Sequence, residues 1–379
     1  MARTAAMPNS PTQNEHPAPT INGPAPSTKS PQVVLWGLIG AVCVTVVLAG
    51  WGRWILSNDF TRTPPGPDPI SGTKLVVLRV VEVASAAGGI VLVGWFLIRP
   101  WWRERRLTLD GMMIIALLLA WFWDPLANYF NYSFVYNTHA LNFGSWVRFI
   151  PGWEYPGAVG HFAEPLWVAG AWVWWCFGGS ILCCALLRSA GRRWPGMSNL
   201  GKFAVLAAAI VVIDLLLECL FLRTEVMAWA GAPRSLSLWA GHYYQFPLLE
   251  SPFVVSLMGG ITAVRYFRDD RGQSFVERGV ERFRRPKRGR SFVSLLAVTG
   301  YIHTVVIVGY NLPLQYVALK ADTFPALASY LRAGTCGRGT DYACPSGAVP
   351  IPSRGSLHVA PNDLRLPQTV RQRQGRSDG

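Results

Sequence analysis

The chain has 379 residues, 51% hydrophobic and only 15% charged, with a formal net charge of +14. A soluble domain usually carries about 25% charged residues, and the mean hydropathy here is +0.25. An ordinary soluble enzyme, a disordered chain and a fibrous protein are excluded, and nucleic-acid binding is set aside because most of the positive charge lies between apolar blocks.

Residues 1–31 are rich in Pro, Ser, Thr and Asn and carry few bulky apolar side chains. They cannot build a core and are expected to be disordered. The apolar blocks that follow are Val33–Leu56, Leu75–Ile98, Gly111–Trp123, Pro165–Leu187, Phe203–Leu222, Phe246–Phe267 and Ser291–Leu312. The first is long enough to span and reads as a span rather than a signal peptide. The third is short: its helix is expected to start at a Thr108/Asp110 cap and to stop at Asp124-Pro125, because a residue before proline is pushed out of the helical region. The fold class is therefore all-α, a polytopic membrane helical bundle of about seven transmembrane helices over residues 32–315, followed by a tail over 316–379.

Charge orients the bundle. The connectors Arg99–Asp110, Arg188–Lys202 and Arg265–Arg290 hold four, four and ten Lys or Arg, whereas Ser57–Lys74, Asp124–Glu164 and Arg223–Gln245 hold two, one and two. Basic connectors stay cytoplasmic, which places the N-terminus inside the cell membrane and the C-terminus outside. The eight basic residues of the C-terminal tail run against this pattern. Cys336 and Cys344 lie in that tail. A disulfide fits an oxidising exterior, and two thiols without a nearby His make an incomplete metal set.

Ionisable residues inside spans need a reason, at roughly 2.5–3.5 kcal/mol each at mid-bilayer. Here they are Arg79, Glu82, Asp214, Glu218 and His303, with Asp124, Glu164, Glu250 and Asn311 at outer span ends. The topology puts all of them between the midplane and the outer face, where one polar cavity can hold them. Asp214 and Glu218 are four apart on one helix face, and two such carboxylates in low dielectric cannot both ionise cheaply. A proton donor beside an acceptor is what acid–base chemistry requires. Arg79 and Glu82 read as a salt bridge, and His303 as a hydrogen-bonded core histidine that could also touch substrate. His139, His161 and His242 lack ligand spacing, so no metal is expected.

The long loop Asp124–Glu164 and the stretch His242-Tyr243-Tyr244-Gln245-Phe246 are dense in aromatics. Such residues anchor membrane interfaces, or they form a lid that shapes an apolar substrate and steadies a cation. No phosphate loop, no serine-nucleophile elbow and no Lys in the last span occurs, which leaves proton transfer on a lipophilic molecule without a cofactor.

Between about Arg62 and Pro352 the chain carries a run of motifs in one order. They include Pro64-Pro65-Gly66-Pro67, Ile98-Arg99-Pro100-Trp101, Thr108-Leu109-Asp110-Gly111-Met112, Asp124-Pro125 with Asn128-Tyr129, and Gly144-Ser145-Trp146-Val147. Ile150-Pro151-Gly152-Trp153, Ser198-Asn199-Leu200-Gly201, Asp214 with Glu218, Tyr243-Tyr244-Gln245-Phe246-Pro247-Leu248 with Glu250, and Tyr310-Asn311 continue it. In these the sequence resembles the AveC-like family, named for the spirocyclase/dehydratase of avermectin-type polyketide biosynthesis. The resemblance implies cyclisation of a dihydroxy-ketone to a spiroketal, with dehydration in some members and no cofactor.

The residues expected to carry this chemistry are Asp124, Asp214 and Glu218, with Asn128, Tyr129, Tyr243, Tyr244, Gln245, Glu250, His303 and Asn311 contacting substrate. The partners are a lipophilic small molecule and the lipid bilayer. Two rival readings keep the same cavity: a membrane terpene cyclase that starts a carbocation cascade with a carboxylic acid, and a proton-coupled transporter or lipid-binding protein.

Overall fold

The computed structural model describes residues 32–153, 162–270, 272–283, 286–322, 324–332, 336 and 343–344. The stretch expected to be disordered, 1–31, lies outside the described residues, as do His161 and the tail from 345 onward. Among the described residues, seven main helices carry the fold: α1 Gln32–Ile55, α2 Gly72–Glu104, α3 Leu109–Asn128, α4 Leu166–Arg193, α5 Asn199–Arg223, α6 Glu250–Tyr266 and α7 Arg288–Ala318. All but α6 are long and apolar enough to cross a membrane.

Hydroxyl caps open several helices, with Thr108 accepting from the Gly111 N–H at 3.1 Å and Ser198 from the Gly201 N–H at 3.1 Å. Only 17% of the most apolar window of α2 is buried inside the protein. The rest of that surface, including Val80, Val83, Ile90 and Val91, is exposed and calls for a second apolar medium, which a bilayer supplies. Where helices meet most closely, glycine permits it. A Cβ on Gly300 would stand 2.1 Å from Trp36 O, and one on Gly40 would stand 1.8 Å from Leu296 O, so α1 and α7 cross backbone to backbone.

Four expectations are corrected. α3 does not stop at Asp124-Pro125 but tightens into a 3-10 turn, Trp121–Asn128, with Pro125 inside it. In such a turn residue 125 would donate to Phe122 O, and proline has no N–H to give. The Trp146 indole N–H fills that place at 2.8 Å. α2 runs past Ile98 and Pro100 to Glu104 through a π turn at Gly94–Ile98. α6 starts at Glu250 rather than Phe246, because Phe246–Pro247 pairs as a strand. α7 continues to Ala318, past the expected boundary at 315.

The loops at one end of the bundle form a cap. It contains β1 Phe134–Tyr136 paired antiparallel with β2 Met227–Trp229, and β3 Ser237–Leu238 paired with β4 Phe246–Pro247. A short helix, α8 Ser329–Arg332, packs Tyr330 and Leu331 into a small apolar cluster with Tyr132, Val135 and Phe162. Cys336 joins this cluster and is disulfide-bonded to Cys344.

The cap is tied to the helices by polar contacts. Arg79 pairs with Glu82 at 2.5 Å, and Glu82 also accepts from Leu141 N–H at 2.6 Å. Glu225 receives Lys74 at 2.5 Å and the Tyr330 hydroxyl. At the opposite end, Asp110 pairs with Arg265 at 3.2 Å and Arg268 at 2.6 Å.

Candidate active site

Beneath the cap, α3, α4, α5, α6 and α7 line a partly open pocket. Asp124, Asp214, Glu218 and Glu250 all line it, and among the described residues its lining includes no Lys, Arg or His. Its other walls are mostly aromatic, from Phe134, Tyr136, Trp167, Trp172, Phe221 and Tyr310.

The four carboxylates form two groups. In the first, Asp124 Oδ2 accepts the Tyr136 hydroxyl at 2.8 Å and Oδ1 accepts the Trp172 indole N–H at 3.3 Å. Asp124 is placed here by the 3-10 turn that lets α3 pass Pro125. In the second, Asp214, Glu218 and Glu250 each present an oxygen within 4.8 Å of the others. Asp214 belongs to the inward stripe of α5 with Leu206, Ile210 and Phe221, so helical spacing brings Glu218 to the same face. Glu250 arrives from the first residue of α6. Glu218 Oε2 accepts the Trp229 indole N–H at 2.9 Å.

The carboxylates of Asp214 and Glu250 stand close enough to share a hydrogen bond if one is protonated. Two carboxylates can bond only if one carries a proton. Written as bare carboxylates, both oxygens of the fully buried Glu250 face no donor. This group is therefore a proton-sharing cluster. Three hard oxygen ligands at this separation could also hold a divalent cation, in the space that the shared proton occupies.

Outside the spans, two further acids face Asp124. Burial pushes the Tyr136 phenol well above its ordinary value, and the nearby Asp124 and Glu164 carboxylates push it further. Burial likewise pushes the Glu164 carboxyl well up, with the charge of Asp124 adding to it. Glu164 is 3% exposed, and its Oε1 accepts the Ser145 hydroxyl at 3.4 Å.

Residues 104–330, more than half of the chain, match the family described as "Spirocyclase AveC-like". The chain belongs to the AveC-like spirocyclase family. Neither a curated protein nor a solved structure matches it. The family match is narrower than the run of motifs from Arg62 to Pro352, so the Pro64–Pro67 segment and the Cys336/Cys344 pair lie outside it.

Within this AveC-like chain, the three residues expected to be catalytic, together with Glu250, meet in the cavity. The other seven site residues are not in its lining, and each has other partners. Asn128 Oδ1 accepts Ser133 N–H at 2.8 Å and Phe134 N–H at 3.3 Å, starting β1. Tyr129 donates to Pro151 O at 2.9 Å. Gln245 donates to Trp229 O at 2.8 Å, and Asn311 to Trp123 O at 2.9 Å.

Tyr243 lies under the Lys74 ammonium, and Tyr244 under the Arg223 guanidinium at 3.7 Å. The ring of His303 is fully engaged: Nδ1 accepts from Trp123 at 2.9 Å, leaving Nε2–H to donate to Ala116 O at 3.0 Å. Sequence reasoning missed Tyr136, Trp172 and Trp229 as partners of the acids. Their only signal was high aromatic density, which core packing explains equally well.

Proposed function

We propose that the protein is an integral-membrane acid–base cyclase that closes a lipophilic dihydroxy-ketone of polyketide type to a spiroketal, with dehydration as a related outcome, and that it uses no resident cofactor. The observation that carries this reading is the meeting of four carboxylates on the wall of an aromatic cavity whose described lining has no cation. Family membership supports a cyclase role in polyketide biosynthesis.

Spiroketal formation needs a proton delivered to a carbonyl or departing hydroxyl, and another removed from the attacking hydroxyl. The Asp214/Glu218/Glu250 cluster holds the proton to give, and Asp124 is the acceptor. An oxocarbenium ion forms between these steps. Ionised carboxylate and aromatic faces both stabilise such a cation, most strongly where water is excluded. The basic connectors favour a cytoplasmic N-terminus, an external C-terminus and a cavity nearer the outer face.

The test is to incubate the purified protein with a dihydroxy-ketone and follow spiroketal by chromatography and mass spectrometry. A folded Glu218→Gln variant with full activity would remove the acid assignment. The aromatic walls would serve a terpenoid carbocation as well. Accumulation of an uncyclised prenyl compound after gene deletion, rather than a dihydroxy-ketone, would move the reading to that class.

A further inference from the structure

The β1–β2 ribbon touches both acid groups. Tyr136 of β1 bonds Asp124, and Trp229 of β2 bonds Glu218. Phe134, Tyr136 and Met227 of the same ribbon line the cavity, and Tyr136 is paired in register with Met227. The cap thus reaches the chemistry through one small sheet built from two distant loops.

The two hydrogen bonds on Asp124 differ in kind. An indole N–H only donates, whereas a phenol hydroxyl both donates and accepts. Of the two donors on Asp124, only Tyr136 can therefore receive a proton from the cavity while giving its own away. Two donors aimed at Asp124 partly offset the cost of burying its charge, and the opposite cluster has carboxylates close enough to share a proton.

We infer that Tyr136 is a catalytic residue of this site, relaying the proton of the attacking hydroxyl to Asp124. The inference rests on the cyclase reading for its substrate. The substrate O–H bond breaks as its proton moves to Tyr136 Oη. The Tyr136 O–H bond breaks as that proton moves to Asp124 Oδ2. The freed electron pair on the substrate oxygen forms the C–O bond to the oxocarbenium carbon. Tyr136 ends neutral and Asp124 ends protonated. The groups facing this pair are Trp167, Trp172 and Cys176 from α4, Tyr310 from α7, and Glu164 from the loop before α4.

The test uses the full chain in lipid nanodiscs and two readouts. Infrared spectroscopy follows the protonated-carboxyl band that Asp124→Asn removes, against pH. Cyclisation of a dihydroxy-ketone is followed in parallel. Tyr136→Phe is expected to move the Asp124 titration to higher pH and to lower kcat at least 100-fold with KM within about threefold. Replacing Tyr136 by 3-fluorotyrosine keeps the packing and strengthens the donor, so it should move the titration to lower pH.

An Asp124 band unmoved by both replacements, or a Tyr136→Phe rate within twofold of wild type, overturns the relay. A wild type that leaves the dihydroxy-ketone unchanged, while its Asp124 band still answers both replacements, sinks the substrate reading and supports the Tyr136 link.

Discussion

Trp146 donates its indole N–H to Phe122 O at 2.8 Å, taking up the carbonyl that Pro125 leaves without a donor. That contact lets α3 continue for one more turn and carries Asp124 into the cavity. Trp146 is fully buried, edge-on to Trp51 and Trp121 at 5.7 and 4.8 Å.

Trp146→Phe should leave Phe122 O buried and unpaired. The expected loss of stability is about 1–3 kcal/mol, read as a lower midpoint of thermal unfolding in detergent. Activity should fall with it, because the turn that holds Asp124 loosens. An unchanged midpoint would show that the turn stands without this donor.

Glu250 was expected only to contact substrate, and the structure brings its carboxylate within 4.8 Å of those of Asp214 and Glu218. Glu250→Gln and Asp214→Asn keep the shape and remove the shared acid proton. Each should lower the cyclisation rate by about 100- to 10,000-fold while the thermal midpoint holds. Loss of folding in both variants together with normal turnover of the surviving fraction would assign the pair to stability alone.

Gly300→Val tests the helix crossing. The side chain would meet the backbone of α1, where Trp36 O stands 2.1 Å from the Cβ position. Backbone cannot step aside as a side chain can. The expected cost is about 1–3 kcal/mol or more, with loss of monodisperse protein on size-exclusion chromatography. Gly37→Val, at a position with open space around it, is the control and should behave as wild type.

Glu164 should make stability depend on pH. Burial raises its folded-state value above that of the unfolded chain, so the folded protein holds the proton longer. The stability is complete below the unfolded value, about 4.3. It falls as pH rises toward the folded value, by up to about 1.4 kcal/mol per pH unit. Glu164→Gln keeps a neutral group against Ser145 and removes that slope. Thermal midpoints of the two proteins should converge at low pH and separate above it, with the variant the more stable. Parallel curves would exclude the effect.

How much of the site was legible depends on distance along the chain. Asp214 and Glu218 share a face because the helix repeats every 3.6 residues, and that is local. Their companions are not local. Glu250 reaches them because β4 holds the start of α6 back to Glu250, which puts a carboxylate on its first turn. Polar residues near the cavity, such as Asn128, Gln245 and Asn311, looked like substrate contacts. In the structure they satisfy backbone groups, because buried irregular backbone needs partners.

The sequence by itself determined an all-α bundle of long apolar helices, because uninterrupted hydrophobic length and scarce charge are properties of consecutive residues. It also marked the acids, because a carboxylate in an apolar run is conspicuous wherever the chain folds. Only the tertiary structure decided which groups they meet: Tyr136 on Asp124, Trp229 on Glu218, and Glu250 against Asp214. Those pairings join segments far apart in the chain. Helix packing and a two-stranded ribbon set them, and no local repeat encodes either.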